Sequence, residues 1–107
     1  MEEKIFDLSD NKCAAISDII RGEKPSLSFE VFPPKQESNY ESVNEAVKKI
    51  AELKPSYMSV TYGAGGSTSK HTVSIATEIK NDFGVTPLAH LTCVASNKKD
   101  IINRLKQ

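Results

Sequence analysis

Residues 57–68 read "YMSVTYGAGGST", and the sequence changes character half-way along them. The first six residues are aromatic, β-branched or apolar apart from one serine, as a short buried strand requires. The second six are small. Gly63, Gly65 and Gly66 permit positive φ and close approach of the backbone to a ligand, and Ser67 or Thr68 can cap a helix whose N-terminus favours anionic groups. A helical pattern follows to about Asp82, with Ile75, Ala76 and Ile79 on one face, Phe83 just past its end and Gly84 as the stop. A strand therefore runs directly into a helix. The glycines match neither the GxGxxG dinucleotide fingerprint nor a phosphate loop closed by lysine and a hydroxyl. A plain strand-to-helix turn accounts for them at least as well as a ligand cradle.

The same unit recurs on either side. Upstream, "LSFEVF" (27–32) is halted by Pro33 and Pro34, which have no N–H to continue a ladder. A helical pattern then opens at "SNYE", where Ser38 and Glu41 have capping-box spacing. Its apolar stripe is Val43, Ala46, Val47, Ile50 and Ala51, and Pro55 closes it. Downstream, "PLAHLTCV" (87–94) precedes "SNKKDIINRLKQ" (96–107), which groups Ile101, Ile102 and Leu105. A further helix, "SDNKCAAISDIIRG", is expected from Ser9 to Gly22 ahead of the first strand.

Strands that begin near residues 27, 57 and 87, each followed by a helix, predict an α/β fold of parallel strands with helical crossovers. A parallel sheet needs both faces covered, and crossovers turning onto one side leave the other bare. Two architectures remain open. One is a small open sandwich. The other is the first three βα units of a (β/α)8 TIM barrel, a fold of roughly 250 residues. A chain that stops after a helix with no following strand fits the second better. On that reading residues 1–107 are the N-terminal part of a single, incomplete, truncated barrel domain.

The composition narrows the function classes. The chain has 107 residues, 26% charged and 38% hydrophobic, with 14 basic against 14 acidic residues. Zero net charge argues against nucleic acid or a membrane surface as partner, and Lys48-Lys49 and Lys98-Lys99 read as solvated helix faces. No apolar run approaches the ~20 residues of a membrane span, and the acidic start "MEEKIFDL" has no secretory core. Cys13 and Cys93 read as free thiols of a cytoplasmic protein.

In parallel α/β folds functional groups gather at the carboxyl ends of the strands. Those ends carry Glu30 on the first strand, Thr61 and Tyr62 on the second, and His90 and Thr92 on the third. Among Phe29, Val31 and Phe32, desolvation is expected to raise the pKa of Glu30, which suits a group that donates a proton near neutral pH. The plain alternative is that Glu30 pairs with a lysine, Lys35 for instance. His90 on its own reads as a core histidine, His71 as exposed and uninvolved, and Tyr40 and Tyr57 as packing residues. No metal is expected, because neither histidine has a ligand-spaced partner.

Taken together, "SFEVFPPK", "SVTYGAGGST" and "AHLTCV" resemble, in order and separation, the N-terminal part of the bacterial methylenetetrahydrofolate reductases, from about Ser26 to Ser96. The resemblance implies a (β/α)8 barrel holding FAD. It also implies reduction of 5,10-methylenetetrahydrofolate to 5-methyltetrahydrofolate, with NADH or NADPH giving hydride to the flavin and then making way for the folate. By position, Glu30 matches the general acid that assists opening of the folate's imidazolidine ring. Thr61 matches a residue near the nicotinamide nucleotide, and Tyr62, Ala64 and His90 match flavin contacts. The family's later "RGD"-type strand end is missing from this sequence, so the resemblance implies an active parent enzyme, a homo-oligomer, and a fragment inactive on its own. A competing expectation is a standalone α/β module that binds an anionic ligand without redox chemistry. A third is a fragment that self-associates through its bare sheet face.

Overall fold

The computed structural model describes residues 15–63 and 69–107. Strands β1 (Ser28–Val31), β2 (Tyr57–Val60) and β3 (Thr86–Ala89) lie side by side in chain order, and both pairings are parallel. Helix α1 (Ile16–Ile20) precedes β1, α2 (Tyr40–Ala51) joins β1 to β2, α3 (Ser69–Asn81) joins β2 to β3, and α4 (Lys98–Leu105) follows β3. This is the arrangement with which a (β/α)8 barrel begins. Register is regular: Ser28 pairs with Tyr57 and Tyr57 with Thr86, so one strand step is 29 residues each time.

The two crossover helices cover the same face of the sheet. Val47 and Ala51 of α2 and Ile75, Ala76 and Ile79 of α3 form one cluster with Val31, Met58, Val60 and Val85. Val47, Met58, Val60 and Ile79 are fully buried, and Tyr40, Val43, Ile50 and Phe83 pack around them. Side chains alternate across a strand, so Met58 and Val60 face the helices while Ser59 and Thr61 face the other way. Two left-handed residues end the crossover helices: Lys54 (φ 53°) before Pro55, and Gly84 (φ 66°) after α3. Glycine takes that conformation freely, whereas lysine does so only at a cost.

Three boundaries differ from the sequence reading. Ser38 caps nothing, because Glu37–Asn39 form a 3-10 turn that leads into α2, and Asn39 occupies the cap position without a side-chain bond. The capping box expected there occurs instead at α4, one residue beyond Ser96. Asn97 accepts the Asp100 N–H (2.9 Å) while the Asp100 carboxylate accepts the Asn97 N–H (3.1 Å). The third strand is Thr86–Ala89 rather than 87–94, so His90 and Thr92 lie just beyond it. The first helix also differs: of the span expected from Ser9 to Gly22, only Ile16–Ile20 is helical among the described residues, Ala15 before it is extended (ψ 140°), and Ser9 falls outside the described residues.

Candidate functional site

Glu30 stands on β1 directly opposite Ser59 of β2, on the face away from the helices. The Ser59 hydroxyl donates to Glu30 Oε1 at 3.2 Å. His90 Nε2 lies 3.6 Å from the same oxygen, so two side chains from two further segments converge on one carboxylate atom. The β-ladder extends one bond past each strand: the Thr61 N–H donates to the Val31 carbonyl (3.0 Å) and the His90 N–H to the Val60 carbonyl (2.9 Å). Thr61 is fixed from a second direction, since its carbonyl accepts the buried Thr72 hydroxyl of α3 at 2.9 Å. Glu30, Thr61 and His90 therefore meet at one rim, as the strand-end argument requires.

The apolar setting expected for Glu30 is not there. Its side chain is 48% exposed and that of His90 43%. Phe29 and Val31 point to the helix side by alternation, and Phe32, on the same face as Glu30, is 67% exposed. A desolvation argument needs a covering layer, and among the described residues none lies over this face. Among the described residues the basic side chain next to Glu30 is the His90 imidazole, not Lys35. His90 is not a core histidine either.

Tyr62 lies next along the rim. The Arg104 guanidinium of α4 stacks over its ring, 5.8 Å from the centroid, and its hydroxyl is buried without a hydrogen-bond partner among the described residues. Ala64, the remaining expected contact, lies outside the described residues, as do Gly65, Gly66, Ser67 and Thr68 of the glycine loop. On the outer side, Tyr40 and His71 have more to do than the sequence indicated. Their rings pack at 5.4 Å, and the Tyr40 hydroxyl donates to Glu78 Oε1 at 3.0 Å, tying α2 to α3. Burial, with the Glu78 carboxylate adding to it, raises the Tyr40 pKa above that of a free phenol.

Ser59 is the residue that sequence reasoning missed. The signal was available: one 29-residue strand step from Glu30 lands on Ser59, and one step from Thr61 lands on His90. Arg104 gave no such signal, because α4 reaches Tyr62 by folding back and no spacing encodes that.

The family model for methylenetetrahydrofolate reductase matches residues 15–107, which takes in all three strands and the whole rim. The chain belongs to the methylenetetrahydrofolate reductase family. It is 39% identical over 79 residues to the 5,10-methylenetetrahydrofolate reductase of Buchnera aphidicola, covering 74% of this chain and 27% of that protein. To the Escherichia coli 5,10-methylenetetrahydrofolate reductase it is 33% identical over 76 residues, covering 71% and 26%. To methylenetetrahydrofolate reductase (NADH) 1 of Arabidopsis thaliana it is 36% identical over 78 residues, covering 73% and 13%. The matched part thus spans about a quarter of these bacterial reductases and about an eighth of the plant one.

Proposed function

We propose that this chain supplies the opening units of a flavin-dependent oxidoreductase that reduces 5,10-methylenetetrahydrofolate to 5-methyltetrahydrofolate. The uncovered face of the sheet is then the inner wall of a barrel. The observation that carries the reading is the convergence of Glu30, Ser59 and His90 at a strand-end rim in a chain of this family.

The rim suits a planar, partly polar cofactor such as the FAD isoalloxazine. Leu91 and Val94, which follow His90 in the chain, offer exposed apolar surface, and Tyr62 holds a buried hydroxyl without a hydrogen-bond partner among the described residues. Tyr62, His90 and Ala64 would hold the flavin, and Thr61 would adjoin the nicotinamide nucleotide, NADH or NADPH. When bound, the flavin supplies the two-electron chemistry. The part played by this chain is proton supply and orientation. Glu30, protonated, gives its proton to the imidazolidine nitrogen that leaves the one-carbon bridge, so the ring opens to an iminium that is then reduced. Three βα units do not enclose a flavin, so the chain by itself is expected to be inactive, and the face left uncovered by the described residues offers a surface for self-association.

The test separates the two half-reactions in the intact parent enzyme. Glu30→Gln is expected to leave flavin binding and flavin reduction by the nicotinamide nucleotide unchanged while folate reduction is lost in stopped-flow traces. Full folate turnover in that variant would end the proton-donor assignment.

A further inference from the structure

Both contacts to the Glu30 carboxylate, from Ser59 Oγ at 3.2 Å and from His90 Nε2 at 3.6 Å, fall on Oε1; Oε2 receives neither. Ser59 is 8% exposed and sits on the same rung of the sheet as Glu30, so its position follows from strand register rather than from a loop. Glu30 itself is half exposed and has no packed environment to hold it.

We propose that Ser59 is a positioning residue: its hydroxyl pins Oε1, so that the transferable proton resides on Oε2 and faces the rim. This rests on the reading of Glu30 as the proton donor to folate. A serine hydroxyl is both donor and acceptor and rotates freely, so it holds the carboxyl group in either protonation state. It donates to Oε1 while Glu30 is ionised, and the contact survives when the proton returns to Oε2. A carboxyl group free to turn about its own bonds would present the wrong oxygen part of the time, and misorientation of a reacting group is costly in rate. His90, the titratable group that faces this carboxylate among the described residues, is oriented by its backbone ladder bond to Val60. It lies beyond hydrogen-bonding distance of Oε1, so the direct hold on that oxygen comes from Ser59.

Ser59→Ala in the intact, flavin-loaded parent enzyme tests this. Flavin reduction by the nicotinamide nucleotide should proceed at the wild-type rate. Reduction of bound folate should slow by roughly ten- to a hundredfold, the range for losing a hydrogen bond to a charged group. The fall should lie in kcat rather than KM. Infrared difference spectra against Glu30→Gln isolate the Glu30 carboxylate band without any turnover; this band should shift and broaden in Ser59→Ala and return in Ser59→Thr, along with most of the rate. If Ser59→Ala does not fold, Ser59→Cys, of similar size and with only a weak donor, reads the same two outcomes. Wild-type folate reduction with an unmoved carboxylate band overturns the proposal. If Glu30→Gln itself reduces folate normally, it is the proton-donor reading that fails, and the two failures are told apart by that control.

Discussion

The two faces of the sheet are built by opposite rules. On the helix side, Met58 and Val60 of β2 are fully buried against Val47, Ile75 and Ile79. On the other side, one residue away along the same strands, Glu30 is half exposed and Phe32 and Leu88 are 67% and 40% exposed. The first face holds apolar area removed from water, which stabilises the fold. The second holds hydrogen-bonding groups whose arrangement contributes little to stability. The comparison teaches that side-chain alternation separates the packed core from the proposed site, so substitutions on adjacent residues should fail in different assays.

The largest separation is expected from Glu30→Gln. In the parent enzyme, folate reduction should fall by about a hundred- to ten-thousandfold, the usual contribution of a positioned general acid. The unfolding free energy from urea titration should stay within about 0.5 kcal/mol of wild type. A variant that unfolds instead would erase the distinction between the faces. Next is Ile79→Ala on the covered side, where emptying a fully buried site should cost about 2–5 kcal/mol by chemical denaturation, with wild-type half-reaction rates in whatever fraction remains folded.

Smaller effects belong at the outer seam between α2 and α3. Tyr40→Phe removes the hydroxyl that donates to Glu78 and should cost about 1 kcal/mol. It also tests the raised Tyr40 pKa. A proton held more tightly in the folded state stabilises fully below the unfolded value of 10.0, and that contribution is lost as pH rises from there through the folded value. Wild type should therefore lose stability at alkaline pH by an increment that Tyr40→Phe lacks, measured by urea titrations at several pH values. Least of all, Lys70→Ala breaks a 3.2 Å ion pair with Glu37 whose side chains are 78% and 77% exposed. Its effect should stay below about 0.5 kcal/mol and fade in high salt.

Much of the fold was legible because repetition is visible in a sequence. Strand-helix alternation at a constant step gave parallel order, and the stripe Ile75, Ala76, Ile79 gave the buried face of α3 as found. The placement of Glu30, Thr61 and His90 at one rim was legible, but their surroundings were not. Phe29, Val31 and Phe32 surround Glu30 in sequence, yet pleating sends Phe29 and Val31 to the opposite face, so apolar neighbours along a strand say nothing about desolvation. Local caps were misread for a related reason. Ser38 has the right chemistry, but a 3-10 turn carries it away from the start of α2, where Asn39 occupies the cap position without a side-chain bond. The tie from Tyr40 to Glu78 spans 38 residues and depends on how two helices pack.

Pro87 lies within β3, and its placement has a consequence for how the sheet meets other chains. Since the His90 N–H turns towards β2, the alternation of a parallel ladder directs the backbone of residues 86 and 88 inward and that of 87 and 89 outward. The missing amide hydrogen is therefore a gap on the outward border of the third strand. A stray extended peptide aligning along that border meets no donor at Pro87, and the outward N–H before it, that of Val85, is already bound to the Ile79 carbonyl (3.1 Å). That discourages indiscriminate fibre-like stacking while leaving room for a neighbour whose own pattern skips the same rung.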